Sequence, residues 1–471
     1  MLFPSLQFAL FMLLLLVLLY LVRGQSGRRL ILLVASYLFY MAWNPAFILL
    51  IIASSLIDWF VGAALEREPA AQRRLRLLLL SLTANLGLLA WFKYSGFLSD
   101  MLLAFGHGAG LDWNWQLLEI TLPVGISFYT FQTLSYSIDI YARRLRPCRS
   151  LLDYALYVAF FPQLVAGPIV RASEFLPQLT RGIQLQLTPR AVILISGGLV
   201  KKVVIADNLA PYVDAVFGNP GTFGSPDVLL ATLCFSTQIY CDFSGYSDMA
   251  IGLASIFGLE LPRNFNYPYF AQSASDFWQR WHMTLSSWLR DYLYIPLGGS
   301  RRGMARTLLN LMITMLLGGL WHGASWTFVL WGAWHGLLLI VQRISPLARR
   351  LSGRAIRPLV KTLGWLLLQY CVLLGWVMFR AADWDGMSWM LRKLLLPDAR
   401  LSLQRVDGVE LFTVLAVLCI FWICHCVYYL RQRRKVSQEG WKTAWSTLAA
   451  STVLLCLLWP ADSAPFIYFQ F

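Results

Sequence analysis

Three of the five histidines in this chain follow a tryptophan directly: His282, His322 and His335. All three fall between Tyr240 and Gly336. Imidazole is the side chain best suited to taking a proton near neutral pH and giving it back, the work of a general base. His322 lies in LLGGLWHGASW, an apolar run with glycines at 318, 319 and 323. An ionisable side chain there is costly and marks a functional candidate. Trp321 precedes it, and on a continuing helix Trp326 lies one turn along on the same face. Such an aromatic, poorly hydrated wall favours the neutral imidazole that a base requires. A histidine hydrogen-bonded between helices fits the same residues, so both roles stand open.

The remaining polar groups are weaker candidates. His282 and Trp281 lie in DFWQRWHMTLSSWLRDYLYIPLGG, where an interfacial histidine without chemistry is the competing reading. His335 repeats the Trp-His-Gly triplet and reads as a second copy of a packing motif. Asp242 and Tyr246 stand one turn apart in CDFSGYSD. They suit orienting a histidine or a charged ligand, and equally suit capping a helix break at Gly245. Arg290-Asp291 reads as a clamp on its own segment. Cys424-His425-Cys426 has poor spacing for a metal, because neighbours on a helix point in different directions, so no metal centre is expected. No Gly-x-Ser-x-Gly elbow, HExxH or Walker loop is present, nor any nucleic-acid motif.

The elements that carry these residues are membrane segments. Of 471 residues 58% are hydrophobic and 13% charged, too apolar for an ordinary soluble enzyme. A signal peptide is the rival reading for Leu6 to Val22, but a basic n-region and a small-residue cleavage site are missing. Apolar runs recur at 5–22, 30–65, 75–92, 120–141, 151–167, 190–206, 226–257, 307–340, 360–379, 409–430 and 443–460. Together they predict an all-α polytopic protein with about eleven crossings. The expected layout is one membrane-embedded domain over 1–471, with the motif core at about 120–340 and C-terminal helices over 345–471.

The net charge of +15 is concentrated in short loops such as Arg23–Arg29, Arg67–Arg76, Arg143–Arg149 and Arg431–Lys442. That is the positive-inside pattern; it places these loops in the cytoplasm and both termini outside. Leu151–Gly167 starts and ends next to basic loops and so reads as re-entrant, broken at Gly167-Pro168. Within Ser273–Gly299, Trp278, Trp281, His282, Leu285 and Trp288 share one helical face, with Arg280 and Arg290 off it. An amphipathic helix at the cytoplasmic surface is the expectation.

PVGISFYTFQTLSYSIDIY (123–141), FFPQLVAGPIVR (160–171), YCDFSGYSDMAIG (240–252), WQRWHMTLSSWLRDYLYIPLGG (278–299) and LLGGLWHGASWTFVLWGAWHG (316–336) together resemble the membrane-bound O-acyltransferases. The bacterial branch that acetylates exopolysaccharides such as alginate or cellulose is the nearest, and the closing PFIYFQF (465–471) resembles it too. The resemblance implies roughly eleven helices around a central tunnel, with re-entrant cytoplasmic pieces. It puts the essential histidine at His322 and the second family position at His282, with Asp242, Tyr246, Trp281, Trp321 and Trp326 in support. It implies acyl transfer from acetyl-CoA in the cytoplasm to a hydroxyl reached from the outer side of the bacterial inner membrane. The acceptor would be an exopolysaccharide or a periplasmic acetyltransferase partner. Arg280, Arg290, Arg301 and Arg302 would receive the anionic donor. D-alanyl transfer from a carrier protein to teichoic acid is the alternative within the family. A transporter of the acetyl donor is the alternative outside it.

Overall fold

The computed structural model describes residues 1, 3–115, 120–345, 358–398, 408–433 and 466–467. Among them every regular element is helical. Six helices are long and apolar enough to cross a bilayer: Pro45–Arg67, Ala71–Gly108, Met304–His322, Trp326–Ile344, Pro358–Arg380 and Leu411–Arg431. The chain is an all-α, multi-pass membrane protein. Leu6–Leu21 is apolar but shorter, about 24 Å of helix. The crossing expected at 443–460, much of the loop 391–408 and the last residues of the tail lie outside the described residues.

Several of the expected runs resolve into broken pieces. The run 30–65 splits where Asn44 accepts a hydrogen bond from the Ala46 N–H at 3.0 Å, ahead of Pro45. Leu151–Ala159 is a helix of nine residues, roughly 14 Å and too short to cross. The Ser150 hydroxyl opens it by capping Asp153 N–H at 3.2 Å. It is buried almost throughout and gives way to the single turn Phe161–Leu164. A Cβ on Gly167 would strike the Gln163 backbone, so the bend there needs glycine. The run 190–206 ends as a π-turn over Val200–Ala206.

The chain divides into two compact units, Met1–Ala191 with Ala250–Pro262, and Val192–Met249 with Arg263–Phe471. Inside the first, Asp58 of Ile48–Arg67 is fully buried. Its Oδ1 accepts from the Ser137 hydroxyl at 2.6 Å and from the Ser81 hydroxyl, and its Oδ2 from Asn85 Nδ2 at 2.7 Å. Asn85 in turn accepts from Ser54 at 2.6 Å. Three helices are thereby tied through neutral donors, which settle a buried carboxyl group without a cation.

The second unit holds every candidate site residue. Helices Met304–His322 and Trp326–Ile344 form a hairpin there. The first ends because Gly323 turns extended, and the second starts on the Ser325 hydroxyl, which caps Thr327 N–H at 3.3 Å. Gly319 and Gly332 make the hairpin tight. A Cβ on Gly319 would strike the Phe328 carbonyl, and one on Gly332 the Met315 carbonyl. Small residues at such a seam let helices pack backbone to backbone where lipid gives no hydrophobic drive.

Candidate active site

His322 is the last residue of its helix, 4% exposed, and rings surround it. The centroids of Trp321 and Trp331 lie 4.9 Å from its own, and that of Phe379 5.1 Å, all edge to face. The aromatic wall expected from the sequence is present with other members. The helix stops at His322, so the one-turn spacing to Trp326 has no helix to act through. Trp326 opens the next helix and is 54% exposed. Trp331 and Phe379 take the place expected for it.

His282 departs further from expectation. The segment Ser273–Gly299 is a series of short turns in place of one amphipathic helix: Ala274–Trp278, a break, Met283–Leu289, then a π-turn over Arg290–Tyr294. His282 sits at the break with φ of 42°, a left-handed conformation that few residues other than glycine adopt. It is 0% exposed, not a half-solvated interfacial residue. The backbone explains the break. Asn266 N–H donates to the Arg280 carbonyl and Met283 N–H to the Asn264 carbonyl, both at 2.9 Å, so this turn is pinned by residues far away in sequence.

Asn264 is the candidate-site residue that sequence reasoning missed. Its Oδ1 lies 3.1 Å from His282 Nδ1 and also accepts from the Thr284 hydroxyl at 2.8 Å. An acceptor at that place makes Nδ1 the protonated nitrogen and leaves Nε2 with the lone pair. Burial pushes the His282 imidazole down from 6.5 to about 3, so it is neutral at physiological pH. The signal in the sequence was slight: one of the two asparagines in LPRNFNYPYF.

Trp321 joins the two histidines. Its indole stands 5.9 Å from the His282 ring and 4.9 Å from that of His322, at a steep angle to both. Trp331 similarly lies between His322 and His335, 4.9 Å from each. His335 is buried against Phe277 and Trp278. Trp281 is 1% exposed and packs on Trp376 at 4.8 Å, behind His282.

Asp242 and Tyr246 lie on Ser225–Ile256, which continues through Gly245 without a break, so neither caps one. Gly245 has a different use. A Cβ on it would come 2.7 Å from the Gly198 carbonyl, and one on Gly198 2.5 Å from the Gly245 carbonyl. This close approach brings a π-turn carrying two lysines onto two aspartates: Lys201 meets Asp248 at 2.6 Å, and Lys202 meets Asp242 at 2.9 Å. Lys202 also reaches Asp207 at 2.8 Å. Asp242 is therefore occupied by a lysine, not by a histidine.

The arginines divide. Arg280 is held by Asp276 at 2.6 Å, and Arg290 by its neighbour Asp291 at 2.7 Å. Arg301 and Arg302 are exposed in the turn before Met304–His322. At Cys424-His425-Cys426 the first cysteine is exposed and the second half-buried, while His425 is buried among Phe421, Tyr267 and Phe270. No group of three or more His, Cys, Asp or Glu side chains among the described residues is placed to hold a metal ion.

The chain matches the family described as MBOAT, membrane-bound O-acyltransferase family, over residues 142–371. It is 41% identical over 414 residues to a probable alginate O-acetylase of Azotobacter vinelandii, covering 86% of this chain and 80% of that one. The probable alginate O-acetylase of Pseudomonas putida is 39% identical over 480 residues, 96% of each chain. A peptidoglycan O-acetyltransferase of Helicobacter pylori is 35% identical over 489 residues, 93% of this chain and 91% of that one.

Proposed function

The chain belongs to the membrane-bound O-acyltransferase family and is an enzyme, and from that premise we propose that it moves acetyl groups from acetyl-CoA in the cytoplasm toward the hydroxyls of an exopolysaccharide, across the bacterial inner membrane. His322 removes the proton of the attacking hydroxyl. The hydroxyl oxygen bonds to the thioester carbonyl carbon, the carbon–sulfur bond breaks, and the thiolate recovers the proton as free thiol. His282, neutral and fixed through Nδ1, presents Nε2 as a second polar group beside the same indole. The exposed Arg301 and Arg302, at the start of the helix that ends in His322, suit the phosphates of the donor. The charge bias of the loops supports a cytoplasmic donor side and periplasmic termini. A periplasmic acetyltransferase is the partner expected to complete the transfer to polymer.

The single observation that carries this reading is the placement of two buried histidines on either side of Trp321. Similarity to alginate and peptidoglycan enzymes alike supports a glycan hydroxyl as the final acceptor, with alginate-type polymers favoured by the higher identity. The test is purified protein with radiolabelled acetyl-CoA and a short alginate acceptor, comparing wild type with His322→Ala. Turnover that requires His322 is the expected result. Equal turnover in both proteins overturns the assignment, and donor binding without turnover in either points to carriage of the donor alone.

A further inference from the structure

Two C-terminal residues, Phe466 and Ile467, lie against Asp242. The Ile467 N–H donates to Asp242 Oδ2 at 2.7 Å, while Oδ1 of the same carboxylate faces Lys202 Nζ at 2.9 Å. Asp242 is 1% exposed and Lys202 6%. Two carboxylates, Asp207 and Asp242, share that one ammonium group, so each needs a further donor to settle its remaining oxygen. For Asp242 the donor is the backbone of the chain's own end. The consequence runs inward. The Phe466 ring packs 5.2 Å from Tyr246 and 5.9 Å from Phe243, and Phe243 stands edge-on to His282 at 4.7 Å.

We infer that Asp242 is a positioning residue: charged by Lys202, it grips the C-terminal segment at Ile467 and holds Phe466 as backing for the His282 side of the site. The inference rests on His282 and His322 being the acyl-transfer site. It gives the aspartate of CDFSGYSD and the PFIYFQF ending a shared role, and it gives Tyr246 its place as the ring under Phe466. A purely structural Asp242, tying the π-turn to Ser225–Ile256, would serve equally well without the tail.

The test uses the full-length protein in nanodiscs. Ile467→Pro removes the N–H and fixes φ, Ile467→Ala loses the buried side chain but keeps the N–H, and Asp242→Ala removes the acceptor. Release of the C-terminal peptide by chymotrypsin is followed by mass spectrometry, beside kcat and KM for acetyl-CoA. A lost hydrogen bond to a buried charge predicts cleavage faster by about tenfold to hundredfold in Ile467→Pro and Asp242→Ala. A matching fall in kcat is expected, with donor KM unchanged and Ile467→Ala, which loses only the buried side chain, affected less than Ile467→Pro. Ile467→Pro with wild-type cleavage and kcat would overturn the inference. Should Asp242→Ala fail to fold, the proline variant still decides. Should wild type turn over no acetyl donor, the proposed activity fails, while the cleavage comparison still decides whether the tail is held.

Discussion

Asp58 and Asp242 are both buried carboxylates on long helices, and they are settled by opposite means. Asp58, in the first unit, is saturated by serine hydroxyls and an asparagine amide drawn from neighbouring helices. Asp242, in the second, is held by a lysine and by the end of the chain. Neutral donors at fixed positions leave Asp58 nothing further to bind or move, so its network works as a staple. The second unit sets this ion-paired aspartate close to two buried histidines, His282 and His322.

The contrast is sharpest for His322→Ala. Acetyl transfer should fall by about a thousandfold, the scale of a lost general base, with thermal stability close to wild type. Asp58→Ala should do the reverse. Stranding several buried donors costs about 3 kcal/mol, read as a lower unfolding midpoint in nanodiscs, while kcat per folded molecule stays the same. A catalytic defect in folded Asp58→Ala would break the comparison.

Asn264 gives a finer division. Asn264→Ala frees the His282 ring and should lower kcat by roughly tenfold. Asn264→Asp sets a carboxylate against Nδ1 and should raise the His282 ionisation from about 3 toward neutral pH, so activity acquires a new acid limb above pH 5. Because the folded-state value lies below the ordinary 6.5, the neutral ring contributes its full stability above pH 6.5 and loses it as pH falls toward 3. Stability measured against pH should therefore fall below 6.5 in wild type and less so in His282→Gln. The smallest effect belongs to the surface. Arg301→Ala with Arg302→Ala should raise the donor KM by about threefold, and added salt should shrink the difference.

Much of this was legible before the structure. Helical class and membrane character follow from hydropathy, and the burial of His322 from its place in an apolar run. The Trp278–Trp281–Leu285–Trp288 spacing misled, because a helical period is also compatible with short turns when distant backbone groups pin them. Only the Asn264 and Asn266 bonds decide that, and they link residues 14 to 19 positions apart. Lys202 was invisible for the same reason. It reads as one of two bases ending an apolar run, and its partner lies 40 residues later. Gly245 looked like a break and proved to be a contact.

That contact has a consequence for how the protein is made. Lys201 emerges from the ribosome 47 residues before Asp248, and Lys202, which has Asp207 close behind it, 40 residues before Asp242. The pairing of Val200–Ala206 is therefore complete only once Ser225–Ile256 has been synthesised and Gly245 has come against Gly198. The ion pairs of this stretch are thus completed late, by residues about 40 positions further along the chain.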